Sequence, residues 1–424
     1  DAIGSKISDY LIKPVNPNQI LLSIKKNLDN KRLISEKTTS AYQQDFRNIG
    51  ITLSDKLNFE EWKEVYKKLI YWELELEKSK DSGMAEVLQM QKTEANQQFF
   101  KFIESNYLSW LNSGKEKAPL LSHTLFKNKV APLLDKELPV FMIVIDNLRF
   151  DQWKVLQHVF NEYFRLDEED MYFSILPTAT QYSRNALFAG LMPSEIEKKY
   201  PNWWFNDEDE GGKNLHESDF LGEQLKRLGK NVKFSYTKVT NLAAGKRMVE
   251  SIPNMMTNKL NVIVYNFVDM LSHARTEMDV IRELASDEAA YRSITQSWFE
   301  HSPLLEALKL IAEKKCKVVL TTDHGTVLVK EPSKIVGDRN TNTNLRYKQG
   351  KSLDYVKKDV FEVRNPADAY LPKLHVSSAF VFAKEDKFFA YPNNYNHYVS
   401  YYRNTFQHGG VSLEEVLIPV VTMS

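Results

Sequence analysis

Short apolar runs that stop abruptly on acids and histidines constrain this chain more than any other feature. Val140 to Ile145 is continuous and rich in β-branched residues, and so are Val262 to Phe267 and Val318 to Thr321. Runs of this length and composition read as strands buried on both faces. Each gives way to polar residues that cannot sit unpaired in an apolar core. These are Asp146-Asn147, then Asp269 with His273, then Asp323-His324-Gly325. Helix-like segments separate the runs. Buried strands alternating with helices imply an α/β domain with a mostly parallel sheet flanked by helices. In such sheets ligands bind outside the carboxyl ends of the strands, where these polar residues fall.

At 424 residues the chain is too long for one ordinary domain. Its 56 basic and 56 acidic residues cancel, which argues against a strongly cationic nucleic-acid clamp. A single cysteine, Cys316, excludes an intrachain disulfide and fits a reducing, cytoplasmic setting. No run of about 18 apolar residues occurs, so no membrane insertion is expected. The chain opens at Asp1 without Met and reads as a fragment.

Three domains are expected. In residues 1–28, a strand over Ser8–Val15 is broken by Lys13-Pro14 and followed by a helix with Ile20, Leu21, Ile24 and Leu28 on one face. This strand, Lys-Pro and closing helix resemble the last part of a response-regulator receiver domain. In that family a lysine at the position of Lys13 contacts the phosphoryl group. Residues 29–136 are expected to form a helical bundle: Phe59, Trp62, Tyr66 and Leu69 recur at helical spacing, and Met84 to Leu111 continues the pattern. Such an aromatic stripe is a core, not a cofactor site. Residues 137–424 hold the α/β domain. Its further strands are expected at Met171–Leu176 and Asn231–Ser235, with a helix over Gln181–Gly190. A small antiparallel appendage should include Ala379–Phe382 and Lys387–Tyr391, and Leu417–Thr422 should be a last strand.

The polar residues at the strand ends form a constellation: Asp146, Thr180, Asp269, His273, Asp323, His324 and His408. Aspartate oxygens and imidazole nitrogens are the ligands zinc takes when cysteine is absent. Asp269 and His273 stand one helical turn apart. Singly, each has an ordinary structural explanation: a helix cap, a turn residue, a core histidine. Five segments converging on one sheet edge argue for a metal site.

The order Asp, Thr, Asp-x-x-x-His, Asp-His-Gly and a late His-Gly-Gly resembles the alkaline phosphatase superfamily. Ile145-Asp146-Asn147-Leu148-Arg149-Phe150-Asp151 is similar to its PglZ-type branch. With a receiver end in front and helices between, the arrangement resembles the PorX response regulators associated with type IX secretion in Bacteroidetes. The resemblance implies two zinc ions, one held by Asp146, Asp323 and His324 beside Thr180, the other by Asp269, His273 and His408. It also implies Thr180 as nucleophile, with Asn147 and Arg184 toward the substrate. Within the resembled superfamily Thr at that position is usual in the nucleotide pyrophosphatase/phosphodiesterase and phosphomutase branches, and a sulfatase would need Cys or Ser there. Val336 to Lys348 is polar and aperiodic and reads as a loop over the site, from which Arg339, Arg346 and Lys348 would hold phosphates.

The expected function is therefore a response regulator whose zinc-dependent phosphodiesterase domain acts on nucleotide-type substrates, cyclic or linear oligonucleotides. A phosphomonoesterase or phosphotransferase is the alternative within the same chemistry, and a non-catalytic zinc-stabilised signalling scaffold the alternative outside it. A histidine kinase acting through the complete receiver, a secretion-system or sigma-factor protein, and a second copy of the chain are the partners the resemblance implies.

Overall fold

The computed structural model describes residues 11, 13, 17–79, 82–112, 118–266, 268, 271, 283, 287–338 and 341–424. They divide into two compact units, 1–95 and 96–424.

The first unit contains helices α1 (Pro17–Ser54), α2 (Phe59–Ser79) and the opening turns of α3 (Ser82–Asn112). Asn58 starts α2: its Oδ1 accepts from the amides of Glu60 at 2.9 Å and Glu61 at 3.0 Å, and Glu61 Oε2 accepts from the Asn58 amide at 2.8 Å. This reciprocal arrangement satisfies donors that a helix start leaves open. Trp62, Tyr66 and Leu69 are buried, as their spacing predicts. Trp72 Nε1 donates to Asp45 Oδ2 at 2.9 Å, and Lys92 pairs with Glu73 at 2.7 Å. Most of the expected receiver strand lies outside the described residues, and Lys13 is exposed. Helix α1 runs without a break across position 28, where a boundary was expected.

The strands of the second unit are, in chain order, β1 (Val140–Ile145), β2 (Leu166–Phe173), β3 (Phe234–Val239), β4 (Leu260–Tyr265), β5 (Lys317–Thr321), β6 (Val327–Leu328), β7 (Glu331–Val336), β8 (Tyr347–Gly350), β9 (Asp354–Tyr355), β10 (Val360–Val363), β11 (Ala379–Ala383), β12 (Lys387–Ala390), β13 (Phe406–Gln407) and β14 (Leu417–Met423). The main sheet has the order β2-β14-β5-β1-β4-β3. Strands β3, β4, β1 and β5 are mutually parallel, and β14 runs antiparallel between β5 and β2. Every residue of β1 and β4 is buried; β1 is a continuous apolar run, and β4 is apolar except for Asn261, whose Nδ2 donates to the Met255 carbonyl at 3.0 Å.

The edge strands depart from expectation for the same reason. Strand β2 is acidic over most of its length and buries only Met171, Tyr172 and Phe173, so its first half looks like a loop. Strand β3 is half-exposed and begins three residues later than expected. In the appendage β10-β11-β8 is antiparallel as expected, whereas β12 runs parallel to β7. Part of the expected loop is regular structure: β7 ends at Val336 and β8 begins at Tyr347.

The second half of α3 belongs to this unit. Phe99 and Trp110 pack on Phe173, with ring centroids 6.3 and 5.3 Å away, and Tyr107 Oη accepts from the Leu176 amide at 2.8 Å. That bond fixes the loop leading to Thr180. No helix among the described residues is long and apolar enough to cross a membrane.

Candidate metal centre and active site

Three chain segments meet at the carboxyl ends of β1, β2 and β5. The turn after β1 places Asn147 at φ 64°, in the left-handed region that Asn tolerates better than most side chains. That turn is tied to the end of β5: the Leu148 amide donates to Thr322 Oγ1 at 3.0 Å and the Asn147 amide to Asp323 Oδ1 at 3.3 Å. The loop after β2 is laced to the same place. Tyr172 Oη donates to the Thr322 carbonyl at 2.5 Å, and Ser174 Oγ to the Asp323 carbonyl at 2.8 Å. Farther along it, Thr178 Oγ1 donates to the Gly410 carbonyl at 2.8 Å and accepts from the Gly409 amide at 3.0 Å. The late His-Gly-Gly segment is thereby drawn to the sheet edge. Gly325 is required by close approach: a Cβ there would stand 1.8 Å from the Glu414 carbonyl oxygen.

Asp146, Asp323 and His324 each offer one ligand atom, and these atoms lie within 4.8 Å of one another. All three residues are buried. Thr180 is the first residue of helix Thr180–Ala189, and its Oγ1 lies 3.0 Å from His324 Nε2 and 3.4 Å from Asp146 Oδ1. His324 Nδ1 is 3.0 Å from the Gly325 carbonyl and His408 Nδ1 is 3.0 Å from the Thr178 carbonyl. A carbonyl only accepts, so Nδ1 carries a proton in both rings and Nε2 is the nitrogen that could ligate an ion. The two imidazoles stack with centroids 4.2 Å apart. Asp269 and His273 lie outside the described residues.

Charge is unevenly shared. Burial pushes the Asp146 carboxyl up, but the Arg184 guanidinium and His324 outweigh it and hold it below the usual carboxylate range. Burial, reinforced by the charge on Asp146, raises Asp323 to about 8. Burial also lowers His324 from the ordinary imidazole value. Asp323 Oδ2 is buried and accepts no hydrogen bond among the described residues. Two carboxyl groups at close range, one with an oxygen that accepts no hydrogen bond among the described residues, beside an imidazole nitrogen and a hydroxyl, are a donor set suited to a divalent ion such as zinc.

The residues expected to meet substrate are placed differently. Arg184 is 1 % exposed; its Nη1 donates to Asp146 Oδ2 at 2.6 Å and its Nε to Glu217 Oε1 at 2.6 Å. Arg346 is fully buried rather than on a loop surface. It grips Glu415 at 3.0 and 2.6 Å and donates to the carbonyls of Lys384 and Lys387. Lys348 is buried in β8, donates to the Asn342 carbonyl at 2.8 Å and faces the Tyr391 ring at 4.8 Å. Arg339 lies outside the described residues. Trp204 is buried and Trp203 stacks on Tyr200.

Residues 125–423 match the BREX system PglZ alkaline phosphatase-like domain. The chain belongs to that family. Residues 32–111 match the PorX response regulator linker domain, so this PglZ domain follows a response-regulator linker. A curated relative, the alkaline phosphatase-like protein PglZ of Bacillus cereus, is 23 % identical over 309 residues, which are 70 % of this chain and 32 % of the relative. The chain thus spans about a third of that relative's length. Among solved structures, murine ectonucleotide pyrophosphatase/phosphodiesterase 5 aligns at 11 % identity over 67 % of this chain and 87 % of its own, with a TM-score of 0.46. Phosphonoacetate hydrolase of Sinorhizobium meliloti aligns at 10 % identity over 67 % and 89 %, with a TM-score of 0.44.

Sequence reasoning missed the partners of the charged groups. Glu217 opens a helix with Asp219 beside it, an ordinary pattern for a helix start. Arg149 is buried on Asp151 at 2.5 Å and on Glu288 at 3.2 Å, and Arg292 also reaches Asp151, at 2.9 Å. Nothing in the sequence marks the pair Arg149 and Asp151 as a neighbour of Glu288 and Arg292 on a distant helix.

Proposed function

We propose that residues 125–423 form a zinc-dependent phosphodiesterase acting on nucleotide-type substrates, cyclic or linear oligonucleotides, with Thr180 as nucleophile. The observation that carries this reading is the position of Thr180 Oγ1, 3.0 Å from His324 Nε2 and 3.4 Å from Asp146 Oδ1, beside an Asp323 oxygen that accepts no hydrogen bond among the described residues. One zinc would be held by Asp146, Asp323 and His324 with Thr180 adjacent, and a second by Asp269, His273 and His408. Such ions, when bound, lower the pKa of a hydroxyl and neutralise charge on phosphoryl oxygens.

Within the chain, the opening of helix Thr180–Ala189 adds partial positive charge where an anionic oxygen develops. His324 Nε2 and Asp146 Oδ1 lie beside the hydroxyl, so an ion held by them would lie next to Thr180 Oγ1. Thr180 Oγ1 attacks phosphorus in line and gives up its proton to solvent, forming a phosphothreonine as the phosphorus–oxygen bond to the leaving group breaks and the departing oxygen is protonated by water; a second water then attacks the phosphothreonine, releasing the phosphomonoester and returning a proton to Thr180 Oγ1. Arg184 supports diester over monoester chemistry. Its guanidinium is committed to Asp146 and Glu217, so it is not free to offset the extra charge of a monoester dianion. We further propose a cytoplasmic response regulator, phosphorylated by a histidine kinase on the complete receiver, acting in type IX secretion through a secretion-system or sigma-factor protein.

Hydrolysis of bis-p-nitrophenyl phosphate against p-nitrophenyl phosphate by zinc-loaded protein tests the class, with metal counted by elemental analysis. Two zinc ions per chain and a clear preference for the diester are expected. Preference for the monoester would overturn the diesterase reading, and less than one metal per chain would overturn the metal assignment.

A further inference from the structure

Behind Asp146 lies a buried run of charges that the proposed reaction does not use. Glu217, 1 % exposed, accepts from Arg184 Nε on Oε1 at 2.6 Å. Its Oε2 accepts from Tyr236 Oη and stands 3.6 Å from Lys238 Nζ. Tyr236 and Lys238 lie two apart on β3 and so share one face of the strand. On the other side, Arg184 Nη1 donates to Asp146 Oδ2 at 2.6 Å and lies 3.7 Å from Asp323 Oδ2. The two oxygens of Asp146 are thus distinguished. Oδ2 is held by Arg184, and Oδ1 faces Thr180 Oγ1 at 3.4 Å and His324 Nε2 at 3.7 Å.

We propose that Glu217 is a positioning residue for the metal centre: it anchors Arg184 and through it presents Asp146 Oδ1 to the ion. This rests on the zinc reading above. Two physical effects act in the same direction when the Glu217 charge is lost. Arg184 and the partly exposed Lys238 lose a carboxylate that offsets their charge, and the field of the buried guanidinium opposes a divalent ion. The released guanidinium also closes more tightly on Asp146 and Asp323, the oxygens the ion needs.

The test is the zinc dissociation constant of the whole chain, read by competition with a fluorescent chelator. Glu217→Gln keeps the shape and removes the charge, and should weaken zinc binding by about 10- to 100-fold, the usual effect of losing an outer partner of a metal ligand. If Glu217 acts through Arg184, Glu217→Gln should add little in an Arg184→Met background. Tyr236→Phe should weaken zinc binding less, and serves if Glu217→Gln fails to fold. Wild-type protein that takes up no zinc would overturn the metal reading itself. Zinc-binding wild type with unchanged affinity in Glu217→Gln, or in Tyr236→Phe should that be the only folded variant, would overturn the positioning role alone. So would a Glu217→Gln effect that persists in full beside Arg184→Met.

Discussion

Thr180 holds a hydroxyl where few residues could. Its place at the start of a helix and beside His324 gives it geometry, whereas its ordinary acidity gives it nothing. Thr180→Ala should therefore lower diester hydrolysis by roughly 10³-fold or more while zinc content and melting temperature stay close to wild type. Parallel loss of metal would make Thr180 a ligand rather than the nucleophile. Lys348 illustrates the opposite case, a charge placed where it costs stability. Burial pulls its ammonium down to about 7 from an ordinary 10.5. The folded protein then binds fewer protons than the unfolded chain between these two values, so this group's contribution to stability improves as pH rises through that window. Below about pH 7 both states are charged and the cost of burial is complete. Lys348→Met should raise the melting temperature most at pH 6, and the gain should shrink toward pH 10. A gain that did not vary with pH would mean that packing, not charge, decides it. Asp207 carries a related penalty: burial raises it to about 6 although Tyr347 Oη donates to it at 3.0 Å.

Among the elements, the buried strands were legible and the edges were not, for one reason. A strand covered on both faces is apolar wherever its groups find no polar partner inside, as in β1, Val262–Tyr265 of β4 and Val318–Leu320 of β5, and its end is marked by the first residue that cannot be buried alone. Asp146, Asp323 and His324 stand out in the sequence on those grounds. Edge strands such as β2 and β3 face water, so their composition overlaps that of loops. Long-range partners leave no local trace either. Asp207 sits in the run Asn206-Asp207-Glu208-Asp209-Glu210, which looks like a solvated face, yet it is in contact with Tyr347. Arg346 looked like a loop cation because Glu415 lies 69 positions away, and pairing with it makes Arg346 structural. The pair is buried, hydrogen-bonded on both nitrogens, and close to Gly410, whose Cβ would stand 2.7 Å from Arg346 Nη2. Removing one partner of such a pair strands a buried charge, at about 3–5 kcal/mol. Arg346→Met should therefore be strongly destabilising in urea unfolding, and Arg346→Met with Glu415→Leu less so than the single change. A double variant less stable than Arg346→Met would mean that Glu415 is held by other groups, among them Ser412 Oγ, which donates to it at 2.6 Å.

At the scale of the whole molecule the question is how phosphorylation of a receiver ahead of the linker, as proposed above, would alter chemistry at Thr180. Helix α1 is the element that bears on it. Its 38 residues are continuous from Pro17 to Ser54, about 57 Å at 1.5 Å per residue. Its first turns coincide with the closing helix that a receiver would end on, and from residue 32 the chain matches a response-regulator linker. A helix of that length transmits rotation or displacement only while its hydrogen-bond ladder is intact. Proline in a helix interior removes one of those bonds and clashes with the preceding turn, at a cost of about 3 kcal/mol. Lys37 is exposed and lies well inside α1, remote in sequence from every candidate site residue. In protein carrying a complete receiver, beryllofluoride should change both the sedimenting mass, toward a dimer, and the rate of diester hydrolysis. Lys37→Pro should leave the unstimulated rate unchanged and abolish the change in rate. If Lys37→Pro responded to beryllofluoride as the wild type does, α1 would not be the path by which phosphorylation reaches the phosphatase-like domain.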